Sequence, residues 1–366
     1  MITKEGFSIH TFELTRELDY EVYRRIKARV YELSEGNKSV KSYNKDNVFY
    51  TGCLFENGIA IFLYSYEGYR PFISIKVNLR YINGMDDAAG IYEYSEESYD
   101  NDIKTLNELL TDIDAELAFE KMTLHRVDLC VNVGLKSSME TAELMRLINK
   151  TYLPGKYMRE VFSGSDSAEK NKHSFRAGNG NVTITVYDKI FQIKERGYDR
   201  FCKDFDSSAG LLRFEVSLQR RKLLKLASGF GRLINNYDFL KYLCSNSKEL
   251  IKPYIYKLFP RGVYCSYGTA VNLIKQSCYG EKIKEKLLFL LIKTSECKNM
   301  NKAMLLTQQH FALSKKQQCK LLECFDEMGI NPITLKNNDG CLIRAGVRDM
   351  LDYDEHYNKF IEHLAV

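Results

Sequence analysis

Three runs of alternating character carry the residues best able to do chemistry. In MTLHRVDLCVNV, from Met122 to Val133, Arg126, Asp128, Cys130 and Asn132 alternate with Val127, Leu129, Val131 and Val133. In NVTITVYDK, Thr183, Thr185 and Tyr187 alternate with Val182, Ile184 and Val186. In LLRFEVSLQ, Arg213, Glu215, Ser217 and Gln219 alternate with Leu212, Phe214, Val216 and Leu218. A period of two puts each set on one face of a strand. If the three strands are neighbours, one sheet face gathers Arg126, Asp128, Asn132, Tyr187, Arg213 and Glu215. Asp128 and Glu215 could then hold a hard divalent cation through oxygen. Tyr187 beside it could act as a nucleophile and form a covalent ester with a phosphoryl group. A phenol near its ordinary pKa of about 10 attacks poorly. A metal, with Arg126, Arg213 or Lys189 steadying developing charge, would supply what it lacks. The same alternation also describes a solvated face of an antiparallel sheet, and strands favour tyrosine.

The elements that must position these residues follow in chain order. FSIHTFEL (residues 7–14) reads as a first strand and DYEVYRRIKARVYEL as a helix. A polar loop, SEGNKSVKSYNKDN, leads to the strand-like runs VFYTGCLF, IAIFLYSY and FISIKVNLRYI, with a hairpin signal at Glu56-Asn57-Gly58. Ile103, Leu106, Leu109, Leu110, Ile113 and Leu117 form a helical stripe. After the Asp128 strand, SMETAELMRLINKT reads as a helix that Ser138 caps and Pro154-Gly155 ends. The stretch KYMREVFSGSDSAEKNK reads as a loop before a hairpin through Gly178-Asn179-Gly180, and IFQIKERGYDRF reads as a helix that stops near Gly197. The order β-α-β-β-β-α, then β-α-β-β-(α)-β, predicts an α+β fold. It resembles two ferredoxin-like half-units in one mostly antiparallel sheet, with helices on one face. Beyond Lys222 the strands give way to amphipathic basic helices, which divides the chain into domains at 1–222 and 223–366. Ser314 and Gln317 form a capping box for the helix SKKQQCKLLECFDEMG, and its flanks would suit a small helix-turn-helix or winged unit.

Composition narrows the class. The chain has 366 residues, 45% of them hydrophobic and 12% aromatic, ample for a packed core and against global disorder. Its ten cysteines include no C-x-x-C pair and its six histidines are scattered, so a zinc site has no support. The N-terminal run MITKEGFSIHTFEL lacks the layout of a signal peptide. No apolar run approaches the roughly 18 to 20 residues that span a bilayer. A cytoplasmic protein with no membrane partner is expected. Net charge is only +5, but it is lopsided. From Asp86 to Glu120 there are twelve acids against one base, and from Arg220 to Lys320 there are twenty Lys and Arg against five Asp and Glu. Such a surplus is the footprint of a phosphate-binding surface. Arg220, Arg221, Lys222, Lys225, Lys315 and Lys316 are its candidate DNA contacts.

HRVDLCVNV, TVYDKIFQ and LLRFEVSLQRRKL resemble three blocks of phage and plasmid replication initiators. The similar families are the filamentous-phage gene II/X type and the plasmid initiators and relaxases with a trans-acting Rep domain. Their R-x-D strand matches Arg126 and Asp128. Their tyrosine segment matches Tyr187, Lys189 and Gln192, and their R-x-E strand matches Arg213 and Glu215. The resemblance covers Leu124 to Leu223 and implies a rolling-circle initiator. Such a protein nicks one strand of origin DNA, single-stranded or in supercoiled duplex, by tyrosine attack assisted by Mg2+ or Mn2+. It leaves a 5′-phosphotyrosine link and a free 3′-OH, and works with a host helicase and polymerase. Gln192 stands where some relatives carry a metal-binding glutamate, which makes Gln192 a candidate ligand beside Asp128 and Glu215. The histidine pair of the better-known nicking enzymes is missing. Two other classes fit the same sequence: a non-catalytic DNA-binding replication or regulatory protein on this fold, and an RNA-binding protein. The RNA reading requires aromatics on the polar sheet face, where the sequence alone places only Tyr187.

Overall fold

The computed structural model describes residues 3–34, 48–51, 58–84, 88–164, 167–199, 202, 205–230, 234–335 and 343–352. Most of the polar loop before VFYTGCLF, and Glu56 and Asn57 of the hairpin signal, lie outside them. The first half of the sheet comes from β1 (Thr3–Glu17), α1 (Tyr20–Ser34), β2 (Val48–Thr51), β3 (Ile59–Tyr64), β4 (Phe72–Val77) and α2 (Glu96–Ile113). The second comes from β5 (Thr123–Leu135), α3 (Ser138–Ile148), β6 (Met158–Glu160), α4 (Ser167–Lys172), β7 (Ser174–Gly178), β8 (Val182–Asp188), α5 (Lys189–Glu195) and β9 (Gly210–Gln219). Among the described residues nine strands form one sheet in the order β2-β3-β4-β1-β5-β9-β8-β7-β6. Every pairing is antiparallel. The α+β architecture read from the sequence is the one observed.

The halves share a plan. In each, a first strand and a helix lead into a three-strand meander. In the second half β9 is then inserted between the first strand, β5, and the meander. The expected loop at 156–172 contains β6 and α4. Three residues pairing on the outer edge of β7 leave too short a run for alternation to be visible. Ser137, not Ser138, caps α3, its hydroxyl accepting from the Glu140 N–H at 3.3 Å. Gly210 lets β9 enter beside this cap, because a Cβ there would lie 2.4 Å from the Ser137 carbonyl oxygen.

Register fixes which side chains share a face. Asp128 pairs with Ser217, Cys130 with Glu215 and Asn132 with Arg213. Thr185 pairs with Glu215 and Tyr187 with Arg213. All six residues expected together therefore do share one face. The opposite face buries Val127, Leu129, Val131, Phe214, Val216, Ile184 and Val186. Helices cover it: α3 packs on β5, β7, β8 and β9. So do α6 (Arg220–Ala227), α7 (Asn236–Ser245) and α8 (Ser247–Leu258), the last reaching β1, β5 and β9.

The polar face is more aromatic than the sequence reading allowed. Glu13 pairs with Lys76, Thr15 with Ser74 and Glu17 with Phe72. Ser74 pairs in turn with Phe62, and Phe72 with Tyr64. Phe62, Tyr64 and Phe72 thus stand on the face that carries Tyr187. The alternation in IAIFLYSY is apolar with aromatic, so it hides which face is open.

The remainder of the chain comprises β10 (Tyr264–Cys265), α9 (Tyr267–Gln276), α10 (Glu281–Glu296), α11 (Met300–Phe311), α12 (Lys315–Glu327), β11 (Ile343–Arg344) and α13 (Val347–Leu351). The capping box at Ser314 and Gln317 forms as expected. Antiparallel β10 and β11 flank the helical set as a small two-stranded sheet, while Lys336, the last residue of the expected winged unit, lies outside the described residues. The expected boundary at 222 falls inside α6. Buried side chains of the sheet and of these helices form one continuous core. Arg344 ion-pairs with Glu140 and Glu143 of α3, and the Met300 N–H donates to the Lys150 carbonyl at 2.9 Å.

Candidate functional site

Over the middle of the polar face lies a cavity of about 460 Å3, lined by Arg126, Asp128, Tyr187, Gln192 and Glu215 together with Lys76, Thr185 and Ser217. Its wall comes from α4 and α5 and from His173, which begins no strand but stacks on Phe191 with ring centroids 3.9 Å apart. Asp188 caps α5 by accepting from the Phe191 N–H at 3.0 Å, and its other oxygen meets His173 Nδ1 at 3.1 Å. The turn that ends β8 is thereby fixed just after Tyr187.

Tyr187 donates its hydroxyl to Glu215 Oε1 at 2.6 Å. Burial, and then the negative charge of Glu215, push the phenol well above its ordinary pKa. Burial and the neighbouring Asp128 carboxylate raise the Glu215 carboxyl as well. On adjacent strands Asp128 and Glu215 are diagonal neighbours, with backbones roughly 7–8 Å apart. Asp128 accepts from Thr11 Oγ1 on one oxygen, and its other oxygen lies 3.2 Å from Arg126 Nε. Arg126 also reaches Glu13 at 3.3 Å.

Sequence reasoning missed the contributions of β1. The strand carries a bulge between Ile9 and Thr11. It turns both His10 and Thr11 to the polar face, where His10 Nε2 lies 3.5 Å from Glu215 Oε1. Burial and then Arg213 hold the His10 imidazole well below its usual pKa, so it is neutral. The signal was present in FSIHTFEL as two consecutive polar residues that shift the phase of an alternating strand.

Three expected site residues stand otherwise than their assigned roles require. Arg213 was expected to steady developing charge, but it is fully buried and does not line the cavity. Its Nε donates to Asn132 Oδ1 at 2.7 Å, and its guanidinium donates to the carbonyls of Ala89 and Gly90 at 2.6 and 2.8 Å. The segment carrying Ala89 and Gly90 crosses the end of the polar face and takes up Nη2, while Nη1 is buried without a hydrogen bond. Lys189 is buried too, and burial with Arg213 lowers its ammonium well below the ordinary range. Its Nζ donates to Gln192 Oε1 at 2.9 Å, so the amide oxygen expected to face a metal is already engaged.

Among the described residues no three His, Cys, Asp or Glu side chains are grouped as a ligand set. The donors that do fit a hard cation are two. Asp128 Oδ1 is buried without a hydrogen bond, with Arg126 Nε 3.2 Å away, and the Glu215 carboxyl is raised by burial and then by Asp128. Mg2+ commonly binds in this way, through one or two carboxylates with substrate phosphate and water completing the shell.

The expected DNA contacts divide by setting. Arg221, Lys225, Lys315 and Lys316 are exposed. Lys222 lies over the Tyr254 ring at 5.4 Å, and Arg220 donates to the Leu124 carbonyl at 3.4 Å.

No family model matches the sequence, and no curated protein matches it. A solved structure of a rolling circle replication initiator protein from Geobacillus stearothermophilus is similar over 69% of this chain and 86% of its own, with 10% identity and a TM-score of 0.29. At those values the function has to be argued from the site. No helix among the described residues is long and apolar enough to cross a membrane, and none of their eight cysteines is in a disulfide.

Proposed function

We propose that this chain is a replication initiator that nicks one strand of origin DNA through Tyr187, with a rolling-circle mode of replication. The observation that carries the reading is the 2.6 Å hydrogen bond from the Tyr187 hydroxyl to Glu215, in a cavity that also holds Asp128 and Arg126. A nucleophile bonded to a base of raised proton affinity is the arrangement that phosphoryl transfer to tyrosine requires. The Tyr187 oxygen forms the new P–O bond as the bond to the 3′ oxygen breaks. The phenolic proton passes to Glu215, and the leaving 3′ oxygen takes up a proton from water. Arg126 faces the developing charge on the phosphate. Asp128 and the other Glu215 oxygen, Oε2, would hold Mg2+ or Mn2+, which supplies polarisation of the phosphate, while Oε1 faces the phenolic proton. Arg213, across the strand from Tyr187 on the same face, holds Asn132 and the Ala89–Gly90 segment, and Gln192 keeps Lys189 in place. A host polymerase would extend the free 3′-OH while a host helicase unwinds the duplex.

Tyr187→Phe removes only the attacking oxygen. With Mn2+ and a labelled single-stranded origin oligonucleotide, the unmodified protein should form a covalent adduct and the variant none, while origin binding stays within about twofold. An adduct from Tyr187→Phe would overturn the assignment. The engagement of Gln192 by Lys189 favours one second reading, a DNA-binding regulator without nicking activity. Salt-sensitive origin binding with no adduct from the unmodified protein would select it.

A further inference from the structure

A second groove on the polar face, of about 700 Å3, is lined by Tyr66, Tyr69 and Phe72 together with Arg70, His125 and Arg220. Its aromatic wall is ordered. Tyr64 stacks on Phe72 with centroids 4.4 Å apart and planes 8° apart, and Tyr66 lies 6.3 Å from Tyr64 and 6.5 Å from Phe72. Phe62 extends the row at 6.5 Å from Tyr64. The ladder opens to solvent at its outer end, where Tyr66 is 40% and Tyr69 is 72% exposed. Isolated tyrosines at a surface need no explanation. A row of near-parallel rings ending in the open Tyr66, with the exposed Tyr69, Arg70 and Arg220 in the same groove, does.

The groove is continuous with the candidate nicking site. A second irregularity in the β1–β5 pairing, between Glu13 and Leu14, leaves His125 and Arg126 adjacent on the open side of β5. His125 lines the groove and Arg126 lines the Tyr187 cavity. From Phe72, opposite Glu17, to Asp128, opposite Thr11, the path crosses two strand spacings and six residues, roughly 20 Å.

We propose that this ladder and groove are a stacking platform for unpaired bases of single-stranded DNA leading into the Tyr187 site. The proposal rests on the nicking reading for the identity of the polymer. Aromatic faces bind any base through its π surface, and cations beside them track the phosphates. Arg70 and Arg220 supply that charge, against Glu17 as the one acid lining the groove; Arg16, also in the lining, is paired with Glu116. Charge of this sign suits a polyanion better than a protein helix.

The chain contains no tryptophan, so Tyr69→Trp installs a single reporter in the groove. Titration with an unpaired thymidine oligonucleotide should quench its emission to saturation, and a duplex of the same length should not. Tyr66→Ala combined with Tyr69→Ala should weaken oligonucleotide affinity at least about tenfold with an unchanged melting temperature. Absence of quenching, equal quenching by duplex, or quenching by RNA alone would overturn the platform. Adduct assays on the Tyr69→Trp protein separate the two claims. Adduct without quenching removes the platform only, and quenching without adduct removes nicking only.

Discussion

Two carboxyl groups in this molecule show how neighbours set proton affinity in opposite directions. Glu215 is raised by burial and by Asp128, which suits a base that must accept a proton. Asp114 is lowered, chiefly by the hydrogen bond from Arg25 of α1, and it also accepts from the Glu116 N–H at 2.9 Å. A carboxyl lowered in the folded state stabilises that state fully above its unfolded pKa of about 3.9, and the contribution disappears as pH falls through the lower native value. Asp114→Asn should therefore lower the urea midpoint at pH 7, and the gap from the unmodified protein should close on acidification below about pH 4. A gap that stayed constant down to pH 2 would place its cause outside the charge. Around Tyr187, type and phase were legible in the sequence: Asp128, Tyr187 and Glu215 fall on one face because alternation fixes the face. The burial of Arg213 was not legible, because alternation says nothing of what lies over a face, and the segment at Ala89 and Gly90 is distant in sequence.

At the scale of elements, α8 ties the sheet to the helices that follow it. Phe259, at its C-terminal end, is fully buried and meets Phe175 of β7 at 5.8 Å and Phe214 of β9 at 6.5 Å. Phe259→Ala should cost about 3–5 kcal/mol. It should also shift a single unfolding transition seen alike by far-ultraviolet circular dichroism and by proteolysis of both halves. Two separated transitions would show that the regions before and after residue 222 unfold independently. Long periodic elements were readable because their burial is one-sided: α2, β5, β8, β9 and α12 all declare a face. Short edge elements such as β6 and α4 were not, since three to six residues cannot establish a period. The β1 bulge was present in the sequence as His10-Thr11, but only pairing to Leu129 and Asp128 reveals its meaning.

The charge asymmetry of the whole chain is partly cancelled in space. Acidic α2 meets Lys241 of α7, and the acids that follow or end it meet Arg25 and Arg29 of α1. What remains open includes Arg221 and Lys225 on α6, and Lys315 and Lys316 at the start of α12. Because α8 belongs to the core of the sheet, substitutions test these charges more cleanly than truncation does. Replacing Arg221 and Lys225 by Gln should reduce the log–log salt slope of duplex binding by up to about 2, since each phosphate contact contributes about 0.9. An unchanged slope would remove α6 from the DNA surface. Replacing Lys315 and Lys316 tests α12 by the same measure.

The inserted strand β9 also sets the order in which the molecule can be completed during synthesis. It is the last strand of the large sheet to leave the ribosome, yet it belongs between β5 and β8. Until it docks, both neighbours present open edges, the kind that pair with other chains. Thr11 and Asp128, which meet across β1 and β5, are themselves 117 residues apart, and such long-range pairing is slow. An unfinished chain therefore carries the Tyr187 hydroxyl without its Glu215 acceptor, and acquires the pair only when the sheet has closed.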